Sequence, residues 1–290
     1  MKYNSISELC RQAEEKNIKI SELVLKDQAV LMETNEEDLK RTMKTMLDVM
    51  KESTKEGIDA EKRSNSGLTG GDAYKMEQVV KEGRTICGPM IGKALVKALS
   101  TSETNACMGK IVAAPTAGSC GILPSVLMTI AEEREIDDDQ LVMALFTSSA
   151  IGMVIANKAS ISGAEGGCQA ECGSASAMAA AALVELCGGT PAMVEHACAI
   201  SLKSVLGLVC DPVAGLVEIP CIKRNAMGAA NAFVSAEMAL AGIESKIPVD
   251  EVIHAMKVVG DCMIPALKET ADGGLAATPT AKRLMKQIFG

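Results

Sequence analysis

The chain has 290 residues, 48% of them apolar but only 2% aromatic, with no Trp, two Tyr and three Phe. Its core must therefore be built from Ala, Val, Ile, Leu, Met and Cys, which disfavours an all-β sandwich and favours closely packed helices. A net charge of −8, from 29 Lys+Arg against 37 Asp+Glu, lacks the basic face that a nucleic-acid partner requires.

The first twenty residues, MKYNSISELCRQAEEKNIKI, carry charges throughout and contain no apolar run of signal-peptide length, so a cytoplasmic protein is expected. Residues 5–55 predict charged helices: Ser5 and Ser7 can open one, and Leu31, Met32, Leu39, Met43, Met46, Leu47 and Met50 recur every three to four residues among Glu, Lys and Asp. A polar, glycine-rich loop, SNSGLTGGD, follows over 64–72. Beyond it the charge density falls. Short helical patterns there alternate with breaks at Gly88-Pro89, 115–121, 163–167, Gly188-Gly189, 211–215 and Gly273-Gly274. The uncharged stretch from Leu141 to Asn157 is short for a membrane span and contains Thr147, Ser148 and Ser149, so a buried helix is expected and no membrane association. These features predict a mostly α, compact helical catalytic domain of Ala-rich buried helices with Gly-rich connecting loops. It is read as one domain over 1–290, with a charged helical layer over 1–63 and the core over 64–290.

Eleven cysteines in a reducing compartment cannot be a disulfide framework. Three stand at breaks. Cys168 follows Gly166-Gly167 and precedes the Ala-rich run 175–182, which places it at a helix start where the dipole favours a thiolate. Cys210 directly precedes the Asp211-Pro212 turn, and Cys221 follows Pro220 with Lys223 and Arg224 close behind. Such positions let three thiolates converge on a metal. Spacing alone leaves the alternative open, because a Cys among Ala and Gly is most often a small buried hydrophobe and no CxxC pair is present. Cys172, four residues after Cys168, can share its helix face.

Two loops offer binding chemistry. In NACMGKIVAAPTAGSCGILPS a Pro-Thr-Ala-Gly-Ser-Cys-Gly turn runs into an apolar helix, whose first N–H groups suit a carboxylate; Asn105, Thr116, Gly118 and Ser119 are the candidate substrate contacts, and an ordinary tight turn is the alternative. In LTGGDAYK the titratable group is Lys75. The two histidines, His196 and His254, sit in plain helical patterns, and no GxSxG, GxGxxG or P-loop string occurs.

The segments SGLTGGDA, NACMGKIVAAPTAGSCGILPS, NKASISGAEGGCQAECGSASAMAAAA, GLVCDPVAGLVEIPCIKRNAMGAANA and GGLAATPTAKRLMKQIFG together resemble the alpha chain of the bacterial iron-sulfur-dependent L-serine dehydratase, from about residue 5 to the C-terminus. The resemblance implies a mostly helical catalytic chain that converts L-serine to pyruvate and ammonia. It also implies a 4Fe-4S cluster held by Cys168, Cys210 and Cys221, and a separate beta chain that completes a heteromeric enzyme. Cys172 lies outside that ligand set, and no Cys follows Cys262 to reach the cluster from a tail. Lys223 and Arg224 are candidates for the substrate carboxylate or for cluster electrostatics, Arg224 joining the candidate substrate contacts, and Lys75, Lys223 or a group of the beta chain could accept the proton. Two rivals remain at this point: a pyridoxal-phosphate serine/threonine deaminase, and a non-catalytic iron-sulfur redox subunit with Cys172 as fourth ligand.

Overall fold

The structure is a computed structural model that describes residues 3–290. Among the described residues there are thirteen α-helices, and the sole β pairing is an isolated bridge between Cys210 and Lys268. The mostly α expectation is met.

The hydrophobic centre is α9 (Ser174–Leu186), in which every residue from Ser174 to Glu185 is buried. Its sequence, SASAMAAAALVEL, explains this: a helix of such small side chains lets neighbours approach from all directions, and one apolar all round must be enclosed. It packs against α6 (Ile122–Arg134), α7 (Asp138–Lys158), α10 (Pro191–Lys203) and α11 (Cys221–Leu240). Close approach is visible where α11 crosses α6: a Cβ on Gly228 would stand 2.4 Å from Ile122 Cδ1, so any larger residue there would displace that side chain. By length and composition α7 could cross a membrane, yet 67% of its apolar window is buried inside this fold, as expected of a core helix. A capping box, Asp137 with Gln140, starts it.

The N-terminal layer divides into α1 (Ile6–Lys16), α2 (Ile20–Leu31) and α3 (Glu36–Glu56), with Ser5 and Asn35 as side-chain caps of α1 and α3. It is less superficial than its charge predicted, because Ile6, Leu9, Ile20, Leu23 and Leu47 are fully buried in the main core. The apolar periodicity read across 31–50 is also not one stripe. Leu31 and Met32 end α2 at 59% and 61% exposed, whereas Leu47 and Met50 lie on the inner face of α3.

Next come α4 (Asp72–Lys81) and α5 (Gly88–Ala106), so Gly88-Pro89, read as a break, opens a helix with Pro in its first turn. The break at 163–167 contains a single turn, α8 (Gly163–Gly166), before a π-helical turn at Gln169–Gly173 that runs into α9. The chain closes with α12 (Val249–Cys262) and α13 (Pro279–Phe289). Three regions thus come together at one end of α9: the loop after α5, the stretch before α11, and the segment after α12.

Candidate functional site

Cys168 lies at the mouth of the π turn, and Gln169 fixes that turn from both sides. Its backbone N–H donates to Leu208 O at 2.9 Å and its Nε2 to Gly166 O and Met256 O, both at 2.9 Å, while Gly207 N donates to its Oε1 at 3.0 Å. The 207–210 stretch is thereby registered against the start of α9.

The backbone of Cys210 is held on both sides: its N–H donates to Leu267 O at 2.9 Å and its carbonyl accepts from Glu269 N at 2.8 Å. Asp211, only 3% exposed, accepts from Leu275 N at 2.8 Å and pairs with Arg224 at 2.9 Å. The segment after α12 is thus strapped to the cysteine on both sides.

Cys221 is the first residue of α11, as Pro220 predicted. Spacing of three and four residues puts Arg224 and Asn225 on its side of the helix. Arg224 Nη1 donates to Val209 O at 2.7 Å, and with its Asp211 pair this links the second and third cysteine segments. Asn225, 1% exposed, donates to Gly118 O at 2.7 Å and Cys221 O at 2.9 Å and accepts from Gly121 N at 2.8 Å.

The three cysteine sulfurs are close enough to act on one another electrostatically. Burial first, and then the charges of Glu171 and Cys168, push the Cys210 thiol well above its ordinary range. Burial, then Cys168 and Glu171, push Cys221 up to about 12. Cys168 moves the other way. Its sulfur stands 3.4 Å from that of Cys172, and their shared hydrogen bond, helped by Arg224, lowers it against the burial penalty, while the same bond and burial raise Cys172. Among the described residues, no three His, Cys, Asp or Glu side chains are gathered tightly enough to hold a single metal ion. Ligands of a four-iron cluster occupy separate corners of a cube and stand farther apart than ligands of one ion. The donor set here, two buried thiols and a half-buried one whose negative forms oppose one another beside a guanidinium, has the chemistry a polycationic iron core neutralises, so these residues fit such a group.

Glu171 connects this region to the predicted binding loop. Thr116 Oγ1 donates to its Oε1 at 2.8 Å, Cys210 Sγ lies 3.8 Å from its Oε2, and Thr116 and Ser119 hydroxyls are 3.1 Å apart. Burial raises its carboxyl above the ordinary range, opposed by the Thr116 bond. A Cβ on Gly163 would fall 2.8 Å from both Cys210 Sγ and Glu171 Oε2, so glycine there leaves room for both. Gly118 adjoins the same carboxylate, and Asn105 Nδ2 donates to Ala117 O at 3.3 Å. The predicted loop residues are therefore brought together, although their side chains serve largely to shape the loop. A cleft of about 520 Å³ opens beside it, with Asn105, Ala117, Gly215 and Glu218 on its wall and Met108 and Phe289 at its edge.

Lys75 and Lys223 both pair with Asp72 and are 73% and 58% exposed, which puts them at a solvated rim. Burial works against the Asp72 carboxylate, but the two lysines hold it below the usual range. Three residues escaped the sequence reading: Glu171, Asn225 and Glu218. Glu218 Oε2 accepts from Ser64 Oγ at 2.7 Å, Ser66 Oγ at 2.9 Å and Thr69 Oγ1 at 2.6 Å, anchoring the 64–72 loop beside Cys221. A Glu two residues before Pro220 in a glycine-rich stretch was the signal available for it.

With this geometry in place, comparison with known proteins is informative. The family model for the serine dehydratase alpha chain matches residues 15–276. The "Probable L-serine dehydratase, alpha chain" of Bacillus subtilis is 51% identical over 288 residues, which is 99% of this chain and 96% of that one. The "L-serine dehydratase, alpha chain" of Peptoniphilus asaccharolyticus is 47% identical over 286 residues, 99% of this chain and 98% of its own. "L-serine dehydratase 2" of Escherichia coli is 38% identical over 285 residues, covering 94% of this chain but 61% of that longer protein.

Proposed function

The chain belongs to the serine dehydratase alpha-chain family, and on that premise we propose that it removes water and then ammonia from L-serine to yield pyruvate, with a 4Fe-4S cluster on Cys168, Cys210 and Cys221. The observation that carries the cluster reading is the approach of three cysteines, two buried and Cys221 half-buried, from three separate segments, with Gln169 tying the Cys168 turn to the 207–210 stretch and Arg224 tying that stretch to the Cys221 helix. When bound, a cluster with three protein thiolates supplies one iron free of protein ligands, a Lewis acid for the serine hydroxyl.

The chain's own residues do the rest of the positioning. Arg224, 15% exposed and tied to Asp211 and Val209 O, sits beside Cys168 and balances negative charge on the thiolate side of the site. That engagement assigns it to cluster electrostatics ahead of direct contact with the substrate carboxylate. The loop at 116–121 leads into α6 with the N–H groups of Ser119, Cys120 and Gly121 bonded internally, to Thr116 O, Ala117 O and Asn225 Oδ1. Asn225 fixes its curvature and Glu171 orients the Thr116 hydroxyl. Elimination of water gives an aminoacrylate, which tautomerises to an imine and is hydrolysed to pyruvate and ammonia without further help. Lys75 and Lys223, each paired with Asp72 at an exposed rim, suit attraction of the substrate's carboxylate better than proton abstraction. A separate beta chain completes the enzyme, a reading supported by the alpha-chain names of the relatives and by the greater length of the Escherichia coli protein.

The test is iron and sulfide content per chain, prepared anaerobically, in wild type and in Cys168→Ser, Cys172→Ser, Cys210→Ser and Cys221→Ser. Loss at 168, 210 and 221 with retention at 172 supports the open-iron lyase. Equal loss at all four replaces it with a closed redox centre, and an iron-free wild type that resists reconstitution removes the cluster altogether.

A further inference from the structure

The pairing of Cys168 with Cys172 is not used by the reaction proposed above. Both side chains are buried, at 3% and 1% exposed, and their sulfurs are 3.4 Å apart across the π turn. A disulfide needs the sulfurs at about 2.05 Å and Cα atoms within roughly 4.4–6.8 Å. Residues four apart on a helical turn meet the second condition, with a rise of roughly 6 Å between them. Closing the remaining gap takes about 1.4 Å of sulfur movement. The 3.4 Å contact joins these two sulfurs, whereas Cys210 faces the Glu171 carboxylate at 3.8 Å.

We propose that Cys168 and Cys172 form a reversible disulfide when the cluster is lost, with hydrogen peroxide as oxidant, so that a ligand cysteine is stored in a recoverable form. The inference rests on Cys168 being a cluster ligand. The Cys168 sulfur attacks one peroxide oxygen, the O–O bond breaks, and a sulfenic acid and one water result. The Cys172 sulfur then attacks that sulfenic sulfur, the S–O bond breaks, and the second water leaves with the thiol protons. Two thiols are oxidised and one peroxide is reduced to two waters. Without a neighbour at this distance, Cys168 would continue to the sulfinic and sulfonic acids, which ordinary thiol reductants do not reverse. While the disulfide stands, one of three ligands is missing, so cluster assembly waits on a dithiol reductant.

The experiment takes the full-length chain, stripped of iron by a chelator under argon and fully reduced, and adds one equivalent of hydrogen peroxide. Free thiols should fall by two of the eleven. Cleavage after glutamate cuts the backbone at Glu171, between the two cysteines, so their peptides stay joined only through the disulfide and separate on reduction. Unjoined peptides, or Cys168 joined to a different cysteine, overturn the proposal. In Cys172→Ser, raising peroxide to at least three equivalents should drive Cys168 to sulfinic or sulfonic acid, read by mass, and after the same treatment dithiothreitol should restore iron binding in wild type alone. Equal recovery in the variant also overturns it. The peptide map of the wild type stands even if that variant folds poorly. Iron content before stripping reports separately on the cluster reading: a chain that never binds iron refutes that reading, whatever the peptide map shows.

Discussion

Asn225 donates from Nδ2 to the carbonyl oxygen of Gly118 at 2.7 Å, so the helix that starts with Cys221 and the loop that carries Thr116 and Ser119 move as one body. The same carboxamide accepts from Gly121 N at 2.8 Å, using both ends of the side chain on the loop. Asn225→Ala leaves buried backbone groups unpaired, at about 1–3 kcal/mol for each. Asn225→Asp keeps the acceptor but puts a charge opposite the Gly118 carbonyl. Both variants should lose serine turnover more than iron content, since the cysteines are held by other bonds. Parallel measurement of pyruvate formation and iron per chain checks this; iron falling in step with turnover would show that Asn225 holds the cysteine end instead.

Glu218 gathers three hydroxyls on one oxygen, and the 64–72 loop has Lys62 and Arg63 immediately before it. Glu218→Ala should free that loop and speed tryptic cleavage after Lys62 and Arg63 by an order of magnitude or more. Hydrogen bonds to a charged acceptor contribute roughly 1.5–3 kcal/mol each. Glu218→Gln retains a carbonyl acceptor but not its charge and should fall between Glu218→Ala and wild type. Equal cleavage of the two variants would mean that charge, and not the hydroxyl cluster, secures the loop.

What the sequence disclosed of this site followed a physical rule. Cys168, Cys210 and Cys221 were visible because local signals, glycines, a Pro and a helix start, act on the residue itself. Glu171 was not, because its significance lies in partners 55 and 39 residues away, Thr116 and Cys210, and locally it is one more Glu in a first turn. Asn225 was hidden in the same way, since α11 had to be placed before its reach to Gly118 and Gly121 could be known. Helical content was legible from composition. The split of residues 5–55 into three helices, and the burial of Ile6, Leu9 and Leu23 in the main core, depended on packing against α7 and α10 that charge patterning does not encode.

Gly163 tests how tightly the site is built. A methyl group there would meet Cys210 Sγ and Glu171 Oε2 at 2.8 Å each. Overpacking of this kind costs roughly 1–3 kcal/mol when neighbours can shift. Cys210 is held on both sides by backbone bonds to Leu267 and Glu269 and has little freedom to do so. Gly163→Ala should therefore bind substoichiometric iron while keeping its helical circular dichroism. Gly152→Ala, whose new methyl would meet only the flexible Met178 side chain, should bind iron normally. Full iron in Gly163→Ala would show that the cysteine segment is looser than its hydrogen bonds indicate.

Glu185 gives the fold a pH dependence independent of the site. It is 7% exposed near the end of α9, and one oxygen accepts from Ser21 N at 3.2 Å in the first turn of α2. Burial raises its carboxyl above the ordinary value, and the Ser21 and Thr147 contacts offset this only in part. The folded chain thus holds this proton more tightly than the unfolded chain. The group's favourable contribution is complete below the unfolded carboxylate value and is lost as pH rises from there through the elevated folded value. Burial therefore works against the ionised form as pH rises past the ordinary carboxylate range. Glu185→Gln removes that charge and keeps a carbonyl for Ser21, so its melting temperature should match wild type near pH 4 and exceed it at about pH 7–8. Thermal denaturation of both proteins across that range measures the difference. Curves that run parallel would mean that the helix N-terminus of α2 compensates the carboxylate fully, and that burial at this position costs nothing.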